Sequence, residues 1–241
     1  ISGYEFEQVD KAARNQFPSS THWFGTDKLG RDLFARVWQG GRVSMMIGLV
    51  GACVTSVAGC LYGGVSAYFG GIVDDVMMRI VEIIISIPYL IVVILLSVVM
   101  QSKSLFTLIF AMTITGWCGT ARLVRGQMLQ LKSQEYVLAA QALGVSPWKI
   151  ITRHMLPNTL SVVIVSITFD IPGYIFSEAF LSYIGLGVQS PNTSWGALAA
   201  SAQANFTFYP FQLFFPAIMI ALTMLSFTLL GDGLRDALDP R

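Results

Sequence analysis

Five long apolar blocks set the terms for this chain. They cover about 45–69, 80–100, 105–123, 160–184 and 211–230. Each is near the roughly 20 residues that an α-helix needs to cross a bilayer. In hydrocarbon a backbone must satisfy its own hydrogen bonds, so helix is the form such blocks take. Composition agrees: 54% of the 241 residues are hydrophobic and 12% are charged, against about 25% charged in a soluble domain. The chain reads as an all-α polytopic membrane protein with five transmembrane helices. A net charge of +1 gives no basis for nucleic-acid binding. Cys53, Cys60 and Cys118 all fall in apolar blocks and read as small buried packing residues. His22 and His154 have no ligand-spaced neighbours, so no metal or cofactor is expected in the chain.

The blocks are not uniform. In the first, Gly48, Ala52 and Ser56 recur every fourth position, as do Gly59, Gly63 and Ala67. Such a face lets helices pack closely. A hinge at 70–75 leads to the second block, where Glu82 belongs at the interface and Pro88 predicts a kink. Lys103 and Ser104 mark a short turn into the third. The fourth carries Asp170, Pro172, Gly173 and Glu178. Intramembrane acids are costly and face the protein interior or a water-filled path. Asp170, Pro172 and Glu178 are therefore candidates for a broken helix lining a translocation pathway. The alternative puts Glu178 at the outer boundary. Ahead of the first block, residues 1–43 are polar with scattered aromatics. Leu33, Val37 and Gly40/Gly41 predict a short helix ending at glycine, with Arg31, Arg36 and Arg42 set among Phe34 and Trp38 at headgroup level.

Residues 132–158 cannot be a span, and apolar blocks flank them. They predict two short helices and a tight turn. Ser133 is placed to cap the first, with Glu135 in the first turn, where the helix dipole favours an acid. Tyr136, Ala140 and Leu143 make an apolar stripe. Gly144 fits a position needing positive φ, Ser146 caps the second helix and Pro147 sits at its N1. Trp148, Ile151 and Met155 continue the apolar face, and Pro157 opens the next span. The small residues Ala139, Ala140 and Gly144 allow close approach. The result is a helical knob. It is either an amphipathic loop resting on lipid or a docking element with Tyr136 and Trp148 as anchors.

The knob resembles the EAA loop of binding-protein-dependent ABC importer permeases: Ala139, Ala140, Gly144, Leu156 and Pro157 match, while Leu138 replaces the pattern's Glu and His154 its Ile. Glu135–Gly144 is similar to the form found in the oligopeptide/dipeptide/nickel branch. Two further stretches resemble the same branch: Gly25-Thr26-Asp27 with Gly30-Arg31-Asp32, and Ser177-Glu178 through Gly185-Leu186-Gly187 into Pro191 and Ser194-Trp195-Gly196. So does the tail from Gly231 to Pro240. The resemblance implies a sixth span before Ile1. It implies a second, similar permease subunit, two cytoplasmic ABC ATPases that hold ATP and Mg, and an external substrate-binding protein. The coupling role would fall on Glu135, Tyr136, Ala139, Ala140, Leu143, Gly144, Trp148 and Pro157.

Charge sets an orientation. No Lys or Arg lies between Arg153 and Arg235, so the loop at 189–210 reads as external. Arg125, Lys132, Lys149 and Arg153 surround the knob and make it cytoplasmic. Counting spans then places 1–43 outside despite its basic residues, 44–231 as the permease domain and 232–241 as a cytoplasmic tail. The expected function is the permease subunit of an ATP-driven peptide importer in a bacterial cytoplasmic membrane. Nickel chelates, glutathione or another small solute are alternative cargoes. The chain has no Gly-x-x-x-x-Gly-Lys-Ser/Thr loop, so hydrolysis is assigned to partner subunits. An ion-coupled secondary transporter would need a relay of buried ionisable groups, and an intramembrane hydrolase a nucleophile with its base. Neither pattern is evident.

Overall fold

Pro88 divides the second apolar block more deeply than a kink. In a computed structural model, which describes residues 3–100, 104–190 and 192–238, α2 (Gly71–Ser86) and α3 (Tyr89–Val99) meet at 80°. Proline pushes the residue before it out of the helical region, and Ile87 is extended, at φ −86° and ψ 126°. The other spans are α1 (Leu33–Phe69), α4 (Leu105–Lys132), α7 (Leu160–Tyr183) and α9 (Phe211–Leu238). Among the described residues, four apolar helical stretches are long enough to cross a membrane, and five if the bent pair is one span. Between α4 and α7 lie α5 (Glu135–Ala142) and α6 (Pro147–Lys149), and α8 (Trp195–Gln203) precedes α9. Lys103, Pro191 and the tail's Asp239-Pro240 lie outside the described residues.

Three expectations need correction. The short helix ending at Gly40/Gly41 does not stop there: α1 runs 37 residues through both glycines. Trp195 lies over Gly41, and the Trp195 indole donates to the Val37 carbonyl at 2.9 Å. Close packing against the helix outweighs the weak helix propensity of the glycines. The hinge at 70–75 shrinks to Gly70, since α2 starts at Gly71 and Asp74 already lies in its first turn. Cys53 is exposed, although Cys118 is buried.

The chain forms two compact units. The first comprises Ile1–Leu49, Ser97–Ile109 and Ile171–Thr228. Here the Gly25–Asp32 stretch anchors the start of α1. Asp27 accepts from the amides of Leu29 (2.8 Å) and Arg31 (3.0 Å) and from Arg31 Nε (2.7 Å). Asp32 caps α1 by accepting the Ala35 amide at 2.8 Å, and its other oxygen meets His22 Nδ1 at 2.8 Å. A cap of this kind satisfies one of the orphan donors of the first turn. Phe24 stacks on Phe215 of α9 at 3.9 Å, and Gln212 donates to the Thr26 carbonyl at 2.9 Å.

The second unit comprises Val50–Leu96, Phe110–Asp170 and Leu229–Arg241. The small face of α1 packs on α4: a Cβ at Gly59 would lie 2.6 Å from Thr120 Cβ, and one at Gly63 would overlap the Ala121 carbonyl. Ala52 and Ala67 are fully buried beside them in sequence register, as the four-residue repeat predicts. A core of Ala67, Val124, Met128, Val137, Ala140, Ile150, Ile151, Met155 and Val163 seats the knob.

Candidate functional site

The knob begins one residue later than the expected cap. Gln134 is the N-cap of α5 and makes no side-chain cap bond, while Ser133 Oγ donates back to the Gln130 carbonyl at 3.2 Å. At the other end Gly144 has φ +72°. Its amide bonds the Gln141 carbonyl (3.0 Å), and the Val145 amide bonds the Ala140 carbonyl (3.1 Å). These two bonds form a complete Schellman closure. Val145 also packs on the core that holds Ala140. A Cβ added at Gly144 would meet nothing within 4 Å, so its φ and not crowding demands glycine. Pro147 sits at the start of α6 as expected, and Ser146 occupies the N-cap position but makes no side-chain cap bond there.

Beyond α6 the helix widens. Ile150–Met155 is π-helical and Leu156–Thr159 is 3₁₀, with Pro157 in the latter's first turn. The wide turn re-phases the chain, so Ile150, Ile151 and Met155 are all fully buried. The knob therefore runs into α7 without a loop.

Burial sorts the expected coupling residues, and the predicted stripes are corrected. Val137 and Ala140 form the inward face of α5; Ala140 is only 6% exposed and belongs to the supporting core. Tyr136 and Leu143 point away from it, with Leu143 83% exposed. Trp148, at 54%, likewise parts company with buried Ile151 and Met155. Glu135, Ala139, Gly144 and Pro157 are exposed. Leu138, which stands where the loop pattern has an acid, is also exposed. Four large apolar side chains, Tyr136, Leu138, Leu143 and Trp148, thus stand out from a knob whose far side is packed.

The expected pathway residues lie on α7, which is continuous through Pro172 and not broken there. Asp170 is half-buried and accepts from Ser166 Oγ at 3.4 Å; Pro172 is buried. Glu178 is fully buried within the protein, at 0% exposure, whereas Asp170 is only half-buried. Its Oε1 accepts from Ser182 Oγ and Ser194 Oγ, both at 2.6 Å, and its Oε2 from Ser44 Oγ at 3.2 Å.

One constellation escaped sequence reasoning. Asp74 on α2 receives Arg125 of α4 bidentately, with Arg125 Nε at 2.6 Å, and also Ser66 Oγ of α1. Bidentate guanidinium–carboxylate pairs combine charge with fixed geometry. The signal available was the acidic pair Asp74-Asp75 ahead of one apolar run and Arg122 with Arg125 at the end of another. Among the described residues there is no cluster of three or more metal-ligating side chains.

Comparison with known proteins places this architecture. Residues 56–241 match the family model described as binding-protein-dependent transport system inner membrane component. The chain is 49% identical to the oligopeptide transport system permease protein OppC of Bacillus subtilis (strain 168), over all of this chain and 79% of that one. It is 50% identical to the dipeptide transport system permease protein DppC of the same organism, over all of this chain and 75% of that one. Its fold is similar to an inward-facing structure of the MetNI methionine ABC transporter, with a TM-score of 0.65 at 20% identity, covering 86% of this chain and 96% of that one. With a family model spanning most of its length, and apolar helices of membrane-crossing length, the chain belongs to the inner membrane components of binding-protein-dependent transport systems.

Proposed function

We propose that this chain is one permease subunit of an ATP-driven importer that carries di- or oligopeptides inward. The observation that carries the cargo is the 49–50% identity, along the whole chain, to permeases of an oligopeptide and a dipeptide system. The knob supports the coupling role. Tyr136, Leu138, Leu143 and Trp148 offer an apolar surface of the kind that becomes an interface core, and Lys149 and Arg153 supply a charged rim. Its packed inner face and direct continuity with α7 let a push on the surface move a span as a rigid piece. In this reading two ATPase subunits bind and hydrolyse ATP, and this chain is no enzyme. One ATPase grips this knob, a second similar permease completes the path, and an external binding protein delivers the peptide. Residues 1–43 face outward, while 132–158 and 232–241 face the cytoplasm. Asp170 and Pro172 lie along the path.

The test is co-purification in gentle detergent from the native membrane, followed by peptide uptake in proteoliposomes. Two co-eluting ATPases, a second permease and ATP-dependent uptake of a labelled dipeptide or pentapeptide are expected. Trp148→Ala combined with Leu143→Asp should leave the protein in the membrane and abolish ATPase recovery. A variant that still recovers the ATPases and transports at the normal rate refutes the docking assignment. Uptake that continues without ATP refutes the importer itself.

A further inference from the structure

The Ser177–Gly196 stretch holds a device that peptide coupling does not use. Each of the three serines on Glu178 also accepts a backbone amide. Ser182 Oγ takes Val188 N–H at 3.2 Å, Ser44 Oγ takes Trp195 N–H at 3.2 Å, and Ser194 Oγ takes Ala197 N–H at 3.0 Å as the N-cap of α8. The carboxylate is thus the common end of three amide-to-hydroxyl relays. They start at the amides of Val188, Trp195 and Ala197, and two helices, α1 and α7, supply two of the serines. Close approach reinforces the arrangement. A Cβ at Gly187 would overlap Ser182 Oγ, and one at Gly196 would overlap Ala179 Cα. Ser182, Ser194 and Glu178 are all buried, so water does not replace a lost relay.

We infer that Glu178 is a positioning residue: through Ser44, Ser182 and Ser194 it fixes the backbone at Val188 and at 195–197, and with it the seat of α8, on α1 and α7. The chemistry is that of one buried side-chain end serving as the shared partner of three hydroxyls, a role that needs the reach and hydrogen-bonding capacity of Glu or Gln. Its role in transport rests on the importer reading above. The held segment belongs to the long stretch without Lys or Arg that faces outward in that reading. Glu178 therefore governs how delivered peptide is accepted and leaves the ATPase cycle alone.

Two measurements on the complete importer in lipid nanodiscs or proteoliposomes test this. The first is residue-level hydrogen exchange. Glu178→Ala should speed exchange at Val188, Trp195 and Ala197 by tenfold or more. Glu178→Gln should stay within about threefold, because its carbonyl keeps the two 2.6 Å bonds and its amide can donate to Ser44. Should Glu178→Ala fail to assemble, single serine changes keep the test alive. Ser182→Ala should expose the Val188 amide alone, and Ser44→Ala the Trp195 amide alone. Unaltered exchange at these amides, or loosening spread evenly over the chain, overturns the inference. The second is uptake kinetics: Glu178→Ala should raise the KM for binding-protein-delivered peptide about tenfold with kcat within about twofold, and Glu178→Gln should restore it. A fall in kcat at unchanged KM overturns the assigned transport role. Wild-type complex that moves no peptide refutes the importer reading while leaving the exchange result to decide on Glu178.

Discussion

Glu178 and Asp74 are both buried carboxylates on apolar helices, yet the fold treats them differently. Asp74 is matched by charge: the Arg125 guanidinium grips both its oxygens, and Ser66 adds a third donor. Glu178 is met only by neutral hydroxyls, each backed by a backbone amide. The first arrangement ties helices to one another through an ion pair. The second ties an irregular segment to helices through dipoles. A guanidinium can hold a span but has no spare acceptor for a loose backbone. A serine accepts an amide and donates onward, so it can hand a loop's unsatisfied N–H groups to a single carboxyl group. Buried irregular backbone in a membrane protein needs such partners.

The contrast predicts different responses to mutation. Arg125→Ala should be the most damaging change. It leaves the Asp74 carboxylate buried beside a lone hydroxyl. Breaking a buried pair costs about 3–5 kcal/mol, and the third of the Arg125 side chain open to solvent lowers this to about 3 kcal/mol. Thermal unfolding in detergent reads it. Asp74→Asn should cost less, about 1–2 kcal/mol, because the freed guanidinium can reach water. Equal effects would show that the two sides are equally buried in the membrane.

Glu178→Ala should fall between these two, at about 2 kcal/mol. It removes the carboxyl group itself, so the serines lose an acceptor but no unpaired charge stays behind. Glu178→Gln should cost under about 1 kcal/mol. If the Gln variant is as unstable as the Ala variant, the charge and not the hydrogen-bond pattern holds the segment, and the contrast with Asp74 collapses.

The knob separates a backbone effect from a surface one, and its exposed face gives the smallest stability effect. Gly144→Ala forces a side chain to φ +72° in open space and should cost roughly 1–2 kcal/mol. Leu143→Asp, at a site 83% exposed, should change stability by less than about 0.5 kcal/mol and still uncouple transport from ATP hydrolysis. A large stability loss at Leu143 would mean that its side chain packs in the assembled complex differently from this chain alone.

Much of the knob was legible beforehand. Gly144, Ser146 and Pro147 occupy the turn, cap and N1 positions that local chemistry demands. The stripes were not legible. A repeat of i, i+4, i+7 fits Tyr136-Ala140-Leu143, but the core takes Val137 and Ala140, and a π-helical turn then moves Ile150 and Ile151 inward together. Periodicity names a face and cannot say which of two mixed faces meets the neighbours. Likewise, the sequence of α8 does not distinguish it from the loop around it. Its start signal, Ser194 as N-cap, is present, but six of its nine residues are Gly, Ala or Ser and give little pattern to read.

By itself the sequence determined where the apolar helices lie, that Pro88 disturbs the second apolar block, and the position of the knob. These follow from hydrophobicity, proline geometry and capping, which act within a few residues. Only the tertiary structure decided the partners of the charges. Asp74 and Arg125 are 51 residues apart, and Ser44 and Glu178 are 134 apart. Nothing local selects such pairs. They are set when small residues such as Gly59 and Gly196 let particular helices approach, and a buried carboxylate then takes the donors that packing has brought within reach.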